Sequence, residues 1–282
     1  MKLMSFINKA ISKLPAHICE EEEKSTLIRH WLSDRLNLNI NQWIKRADLS
    51  IDQAMLFDLE DDLEKIKAGM PLQYIIGKAY FFDMELGVNN HVLIPRPETE
   101  ELVQWIMEDH NDRPLNVLEI GTGSGCISIA IKRQRKNFTI TAIDISEDAL
   151  SIARQNSNKY NAAIHFKRLN FLTQQDELNQ EWDIIVSNPP YLDAEEIETH
   201  GNHVIKHEPK QALIAAGSDP LIFYRSIAAF SQKNLSDHGA CYVELNSLKA
   251  DSIQNIFEDQ NFGTVNLRRD ISGNMRMLRS KI

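Results

Sequence analysis

Apolar residues recur at helical spacing through the first quarter of the chain. Residues 20–37 carry Leu27, Ile28, Trp31, Leu32 and Leu36, and residues 51–68 carry Ala54, Met55, Leu59, Leu63 and Ile66 before Gly69 and Pro71 stop the pattern. The N-terminal stretch sets Phe6, Ile7, Ala10, Ile11 and Leu14 against Lys2, Lys9 and Lys13, an amphipathic helix rather than the unbroken apolar block of a signal peptide. Residues 1–75 therefore read as a small helical bundle, with Trp31 and Trp43 as core anchors. Residues 76–97 change character: the aromatic-rich run 80–86 and the run 88–93 predict a β-hairpin linker turning near Gly87 or Asn89-Asn90. From residue 98 to 282 short apolar runs alternate with helical ones, predicting strands near 116–120, 139–143, 164–169, 183–187 and 239–245. Two last strands, 264–269 and 275–280, are joined by Ser272-Gly273-Asn274. Such alternation implies an α/β domain with a mostly parallel sheet covered on both faces, and a ligand site at the carboxyl ends of its strands.

The chemistry-bearing residues sit at those ends. The run Asn116-Val117-Leu118-Glu119-Ile120 passes straight into Gly121-Thr122-Gly123-Ser124-Gly125 and then into the helix-like Cys126-Ile127-Ser128-Ile129. Strand, glycine turn and helix start form a nucleotide-type site, in which missing Cβ atoms let a ligand approach the main chain. A dinucleotide fingerprint beginning at Gly121 needs glycine at position 126, where this chain has Cys126. The next predicted strand ends in Asp144, whose carboxylate can accept hydrogen bonds from two ribose hydroxyls.

Asn188-Pro189-Pro190-Tyr191 follows the run Asp183-Ile184-Ile185-Val186-Ser187. It reads as a grip for a planar NH2 group. The Asn188 side-chain oxygen and the Pro189 carbonyl offer acceptors for two N–H bonds, Pro190 adds no donor and stiffens the turn, and Tyr191 supplies a flat wall. An amide or aromatic amine is a poor nucleophile, so acceptors that favour a nitrogen developing positive charge would speed its attack on an electrophile. The alternative is that Asn-Pro-Pro only marks a turn after a strand.

Together Glu119 to Gly125, Asp144 and the Asn-Pro-Pro-Tyr loop resemble a class I, Rossmann-like methyltransferase that uses S-adenosylmethionine to methylate nitrogen. Gly69-Met70-Pro71-Leu72-Gln73-Tyr74-Ile75-Ile76-Gly77, Val92-Leu93-Ile94-Pro95-Arg96-Pro97-Glu98-Thr99-Glu100, Glu208-Pro209 with Ala212-Leu213, and Arg269-Asp270-Ile271-Ser272-Gly273-Asn274-Met275-Arg276 are similar to the HemK/PrmC family of release-factor glutamine methyltransferases. The resemblance implies a mostly parallel seven-stranded sheet; the helical N-terminal domain is expected to recognise the partner, since the cofactor domain already contains the chemistry. It implies transfer of a methyl group to the side-chain N5 of a glutamine, that of the Gly-Gly-Gln motif, in a peptide-chain release factor. It also implies that Gly121, Thr122, Gly123, Ser124, Gly125 and Asp144 hold the cofactor with support from Glu119, that Phe171 lies beside the adenine, and that Asn188 to Tyr191 clasp the glutamine, with Asn188 also at the cofactor. The chain departs from the family in having Asn170-Phe171 where an acid and tryptophan are usual, and Asn246 after Val243-Glu244-Leu245. The amide of Asn170 can still accept a hydrogen bond from the adenine amine, and phenylalanine can still stack.

Charge narrows the acceptor. Asp and Glu total 40 against 31 Lys and Arg, a net charge of −9, which disfavours a broad nucleic-acid surface. The same grip would serve an exocyclic amine of DNA or RNA, or a glutamine of a ribosomal protein. Asp193, Glu195, Glu196 and Glu198 beside the loop would, however, repel phosphates, so nucleic acid is not the expected substrate. Cys19, Cys126 and Cys241 lie far apart in no CxxC arrangement, which predicts buried thiols in a reducing, cytoplasmic setting and no disulfide. His203 and His207 have an i, i+4 interval, and His200 is near, but no third ligand is defined and no metal is expected. No apolar run approaches the roughly 20 residues that span a bilayer. Arg96, Glu98 and Glu100 read either as charges pinning the linker to the catalytic domain or as residues beside the substrate.

Overall fold

The computed structural model describes residues 1–38, 50–192, 205–215 and 219–282. Trp43, the acidic group Asp193, Glu195, Glu196 and Glu198, and His200 and His203 lie outside the described residues. The described residues cluster into two compact units, one running over Met1–Lys78 and taking in residues 205–207, the other taking the rest from Ala79 to Ile282.

The first unit is helical: α1 (Leu3–Lys13), α2 (Glu21–Arg35), α3 (Gln53–Lys67) and the short α4 (Leu72–Ile76). Phe6, Ile7, Ile28, Trp31, Leu32, Leu59 and Leu63 form its core. Asp52 caps α3 by accepting from the Met55 amide at 2.8 Å, the usual device for an orphan N–H in a first turn. One charge is buried here with full support. Asp62 accepts from the Trp31 indole at 3.3 Å and from Arg35 at 2.6 and 3.1 Å, so the tryptophan is both apolar anchor and donor.

The second unit opens on β1 (Lys78–Phe81) and β2 (Met84–Gly87), a two-stranded hairpin. Its turn is Phe82-Asp83, both at positive φ (48° and 57°), rather than Gly87 or Asn89-Asn90. Two residues at positive φ make the tight connection whose twist matches antiparallel strands, normally signalled by Asn or Gly. Here the Phe82 amide is held by Glu100 Oε1 at 3.0 Å, which compensates for the unfavoured conformation. The run 88–93 adds no strand: Asn89 instead closes a local turn onto the amides of His91 and Val92.

A seven-stranded sheet follows, ordered β5-β4-β3-β6-β7-β9-β8. Its strands are β3 (Asn116–Ile120), β4 (Thr139–Asp144), β5 (His165–Arg168), β6 (Trp182–Ser187), β7 (Leu235–Glu244), β8 (Thr264–Arg269) and β9 (Met275–Lys281). All pairings from β5 to β7 are parallel, and β9 alone runs reversed between β7 and β8. Side chains alternate between two cores, as a period of two requires. Val117, Ile184, Ala240 and Tyr242 pack with α5 (Pro97–Asp109) and α6 (Cys126–Gln134), whereas Leu118, Ile185, Cys241 and Val243 pack with α10 (Ile222–Asn234) and α11 (Ala250–Glu258). The remaining helices are α7 (Glu147–Lys159), α8 (Phe171–Gln174) and α9 (Lys210–Leu213). Cys241 is buried, but Cys19 and Cys126 are only half-buried, and all three are free thiols. No described helix is long and apolar enough to cross a membrane.

Candidate active site

The order β4-β3-β6 places the reversal of winding at β3, and ligands of such sheets sit outside the carboxyl ends on either side of that point. A cavity occupies this place. Its wall includes Glu119, Gly121, Thr122, Gly123 and Ser124 after β3, Asp144 after β4, Asn170 and Phe171 after β5, and Asn188, Pro189 and Pro190 after β6.

The glycine turn is built by backbone demands. Gly121, Gly123 and Gly125 all have positive φ (76°, 53° and 81°). The amides of Gly121 and Thr122 both bond the Ile143 carbonyl at 3.0 Å, tying the turn to β4. A Cβ on Gly121 or Gly123 would meet no protein atom within 4 Å, so their bare faces are the open ones. Gly125 does a different job: its Cβ would stand 3.1 Å from Ile129 and 3.2 Å from Ala153, so it permits close helix packing and is not on the cavity wall.

Asp144 is oriented by the main chain, Oδ2 accepting from Gly123 at 2.9 Å and Oδ1 from Ser146 at 2.9 Å. Burial raises its pKa while these amides pull the other way, and lone pairs remain on both oxygens. Glu119 is almost fully buried. Its Oε2 accepts from Thr122 at 2.7 Å and from Ser128, while the buried Oε1 has no partner among the described residues. Burial pushes Glu119 up to about 7 against the effect of those hydroxyls. A buried, unpartnered carboxylate oxygen on a residue that lines the cavity fits a ligand that brings a cation or hydroxyl donor, and the bare glycine faces fit close approach of that ligand. Asn170 uses its side-chain oxygen to cap α8 at the Leu172 amide (3.1 Å), and Phe171 is buried edge-on against Phe230 with ring centroids 5.4 Å apart.

Across the cavity, Ser187 bonds the Ile120 carbonyl at 2.8 Å and locks the end of β6 to β3. Beyond it the Asn188 Nδ2 donates to Thr99 Oγ1 at 3.2 Å, and Thr99 Oγ1 donates to Glu244 Oε2 at 2.6 Å. Asn188 Oδ1 accepts nothing among the described residues. Tyr191 is half-buried against the α10–α11 core rather than on the cavity wall, and burial pushes its hydroxyl up to about 12. Arg96 pairs with buried Glu208 at 2.6 Å, and Glu208 also accepts from the Ile94 amide at 3.1 Å, so this arginine pins the strand-free segment before α5 to the segment before α9. Glu100 pins the hairpin turn in the same manner. Among the described residues no three His, Cys, Asp or Glu gather as a metal site.

Thr99, inside the family-like run from Val92 to Glu100, lines the cavity with His91, Val92, Leu93, Pro95 and Arg96 and bonds Glu244, although the sequence assigns neither Thr99 nor Glu244 a role. One signal existed: Pro97 predicts a helix start, which puts Thr99 in the first turn of α5, close to the strand ends.

The chain matches two family profiles, "Methyltransferase small domain" over residues 98–241 and "PrmC N-terminal domain" over residues 6–77. It is 42% identical over 237 residues to the release factor glutamine methyltransferase of Flavobacterium psychrophilum, covering 82% of each chain. It is 34% identical over 276 residues to that of Bacteroides thetaiotaomicron, covering 98% of this chain and 99% of that one. A solved methyltransferase from Pyrococcus furiosus shares the fold at a TM-score of 0.52 and 16% identity, covering 71% of this chain and 91% of that chain. With the sheet order, the glycine turn and the Asn-Pro-Pro loop in place, this chain belongs to the family of release factor glutamine methyltransferases.

Proposed function

We propose that this protein transfers a methyl group from S-adenosylmethionine to the N5 side-chain amide nitrogen of a glutamine in a peptide-chain release factor. The observation that carries the reading is the meeting, on one cavity wall, of an open glycine turn and the Asn-Pro-Pro loop whose Asn188 oxygen accepts no bond from the described residues. The names of the relatives in Flavobacterium and Bacteroides support the acceptor.

Gly121, Thr122, Gly123, Ser124, Asp144, Asn170 and Phe171 would hold the cofactor, with Glu119 beneath the turn and Gly125 packing the helix behind it. S-adenosylmethionine, when bound, supplies an electrophilic methyl group on a sulfonium whose sulfur departs as a neutral thioether. The protein's own part is orientation. Asn188 Oδ1 and the Pro189 carbonyl accept the two N–H bonds of the substrate carboxamide, which aims the nitrogen and stabilises the positive charge it gains on forming its new bond to carbon. The methylated nitrogen then releases one proton to water. No general base is required, and Asn188 could not serve as one. Tyr191 stiffens the loop from behind. The helical unit, matched to the N-terminal domain of the family, serves partner recognition.

The test is to incubate the protein with methyl-labelled S-adenosylmethionine and, separately, release factors, ribosomal proteins and nucleic acid, then map the label by mass spectrometry. Label on a release-factor glutamine is the expected result. Label only on a ribosomal protein or on nucleic acid would overturn the choice of acceptor.

A further inference from the structure

A side-chain amide has an oxygen end and a nitrogen end of nearly equal size, and turning it over exchanges an acceptor for a donor. The grip ascribed to Asn188 works in one orientation only. With the nitrogen outward, the loop would present a donor to the substrate NH2 and repel it.

The structure carries a device that decides this. Glu119 follows Val117, and Glu244 follows Tyr242, by two residues, so both carboxyls lie on the α5–α6 face of the sheet. The first turn of α5 brings Thr99 over that face, between Glu244 and Asn188. Thr99 is nearly fully buried, and so is Glu244. A hydroxyl has a single proton. When Thr99 gives it to the carboxylate, only lone pairs face Asn188, and only the Nδ2 end of the amide can satisfy them. The reversed amide would set two acceptors against each other in a buried place.

Resting on the glutamine-methylation reading, we propose that Thr99 and Glu244 are positioning residues of this site. Their hydrogen bonds run one way, from Asn188 to Thr99 to Glu244, and hold the Asn188 oxygen toward the substrate amide.

The direction depends on Glu244 being ionised. A protonated Glu244 can donate to Thr99, which frees the threonine proton to turn to Asn188 and releases the amide. Burial pushes Glu244 up to about 7, Thr99 and the guanidinium groups of Arg276 and Arg96 favour the ion, and Glu98 opposes it. Tyr224 from α10 donates to the Glu244 carbonyl at 3.0 Å and fixes the strand end, and Tyr191 remains a neutral neighbour.

The experiment uses the full chain, a release factor and labelled S-adenosylmethionine, with kcat and KM measured across about pH 6 to 9 for wild type, Thr99→Val, Thr99→Ser and Glu244→Gln. Expected are a kcat about 100-fold lower in Thr99→Val with cofactor KM unchanged, recovery in Thr99→Ser, and a wild-type kcat that rises through about pH 7 but not in Glu244→Gln. Wild-type kcat in Thr99→Val, no recovery in Thr99→Ser, or an unchanged pH rise in Glu244→Gln would each overturn the relay. Should Thr99→Val not fold, the near-isosteric Glu244→Gln profile still decides. Absence of label on glutamine with wild type removes the functional reading itself, whereas label with indifferent variants removes the relay alone.

Discussion

Glu119 and Glu244 are two buried carboxyls at the ends of β3 and β7, on one face of the sheet, and both are pushed up to about 7 by burial. They differ in how they are supported. Glu119 takes its hydroxyls from Thr122 and Ser128, three and nine residues downstream, and keeps one buried oxygen without a partner among the described residues. Glu244 takes its hydroxyl from Thr99, 145 residues away in the chain, and is not on the cavity wall, to which it connects through Thr99 and Asn188. Identical side chains with the same direction of titration thus stand in different settings, and on the reading proposed above one would offer an acceptor to a ligand while the other would orient a protein amide.

The largest effect that would sharpen the comparison belongs to the amide itself. Asn188→Ala is expected to lower kcat by about 100- to 1000-fold while leaving the cofactor Kd near wild type, as read by single-turnover kinetics and calorimetry. A variant turning over normally would show that the loop is a mere turn.

Next comes stability against pH. Each glutamate holds its proton more tightly folded than unfolded, where the ordinary value is 4.5. The sign follows: their contribution is most favourable below about 4.5, falls as pH rises to about 7, and is flat above. Each accounts for a loss of about 3 kcal/mol over that window. Urea unfolding at several pH values should show a shallower decline in Glu119→Gln and in Glu244→Gln, and an unaltered slope would refute the burial account.

A smaller effect separates the two carboxyls functionally. Glu119→Gln should weaken cofactor binding about tenfold with saturated kcat retained, the reverse of the pattern expected at Thr99. If both variants changed the same constant, the distinction between ligand acceptor and positioning relay would be lost.

The smallest effects lie in the glycine turn. Gly123→Ala forces a Cβ onto φ of 53° facing open space, costing about 1 kcal/mol of stability together with cofactor affinity. Gly125→Ala instead presses on Ile129 and Ala153, so its cost should appear in Tm with the cavity unobstructed. Thermal melts with and without cofactor distinguish the two.

What the sequence displayed was local. The glycine turn, Asp144 and Asn-Pro-Pro each sit within a few residues of the strand that aims them, and alternation of apolar residues predicted those strands to within a few positions, apart from an earlier start to β7. The Phe82-Asp83 turn was hidden because neither residue advertises positive φ, and its support comes from Glu100 on α5. Thr99 and Glu244 were hidden for a related reason. Both lie in runs that resemble the family without a role attached to either residue, and the bond between them exists only once β7 has been placed beside β6 and α5 has brought Thr99 to the strand ends.

The two consecutive prolines after Asn188 have a corollary for selectivity. Neither ring nitrogen carries a hydrogen, so the lip they form offers electron pairs and nothing to bind an anion. On the proposed reading, a glutamate in place of the glutamine would bring negative oxygens against those pairs. A release factor carrying glutamate in place of that glutamine is accordingly expected to bind more weakly than the wild type, which a competition assay would check.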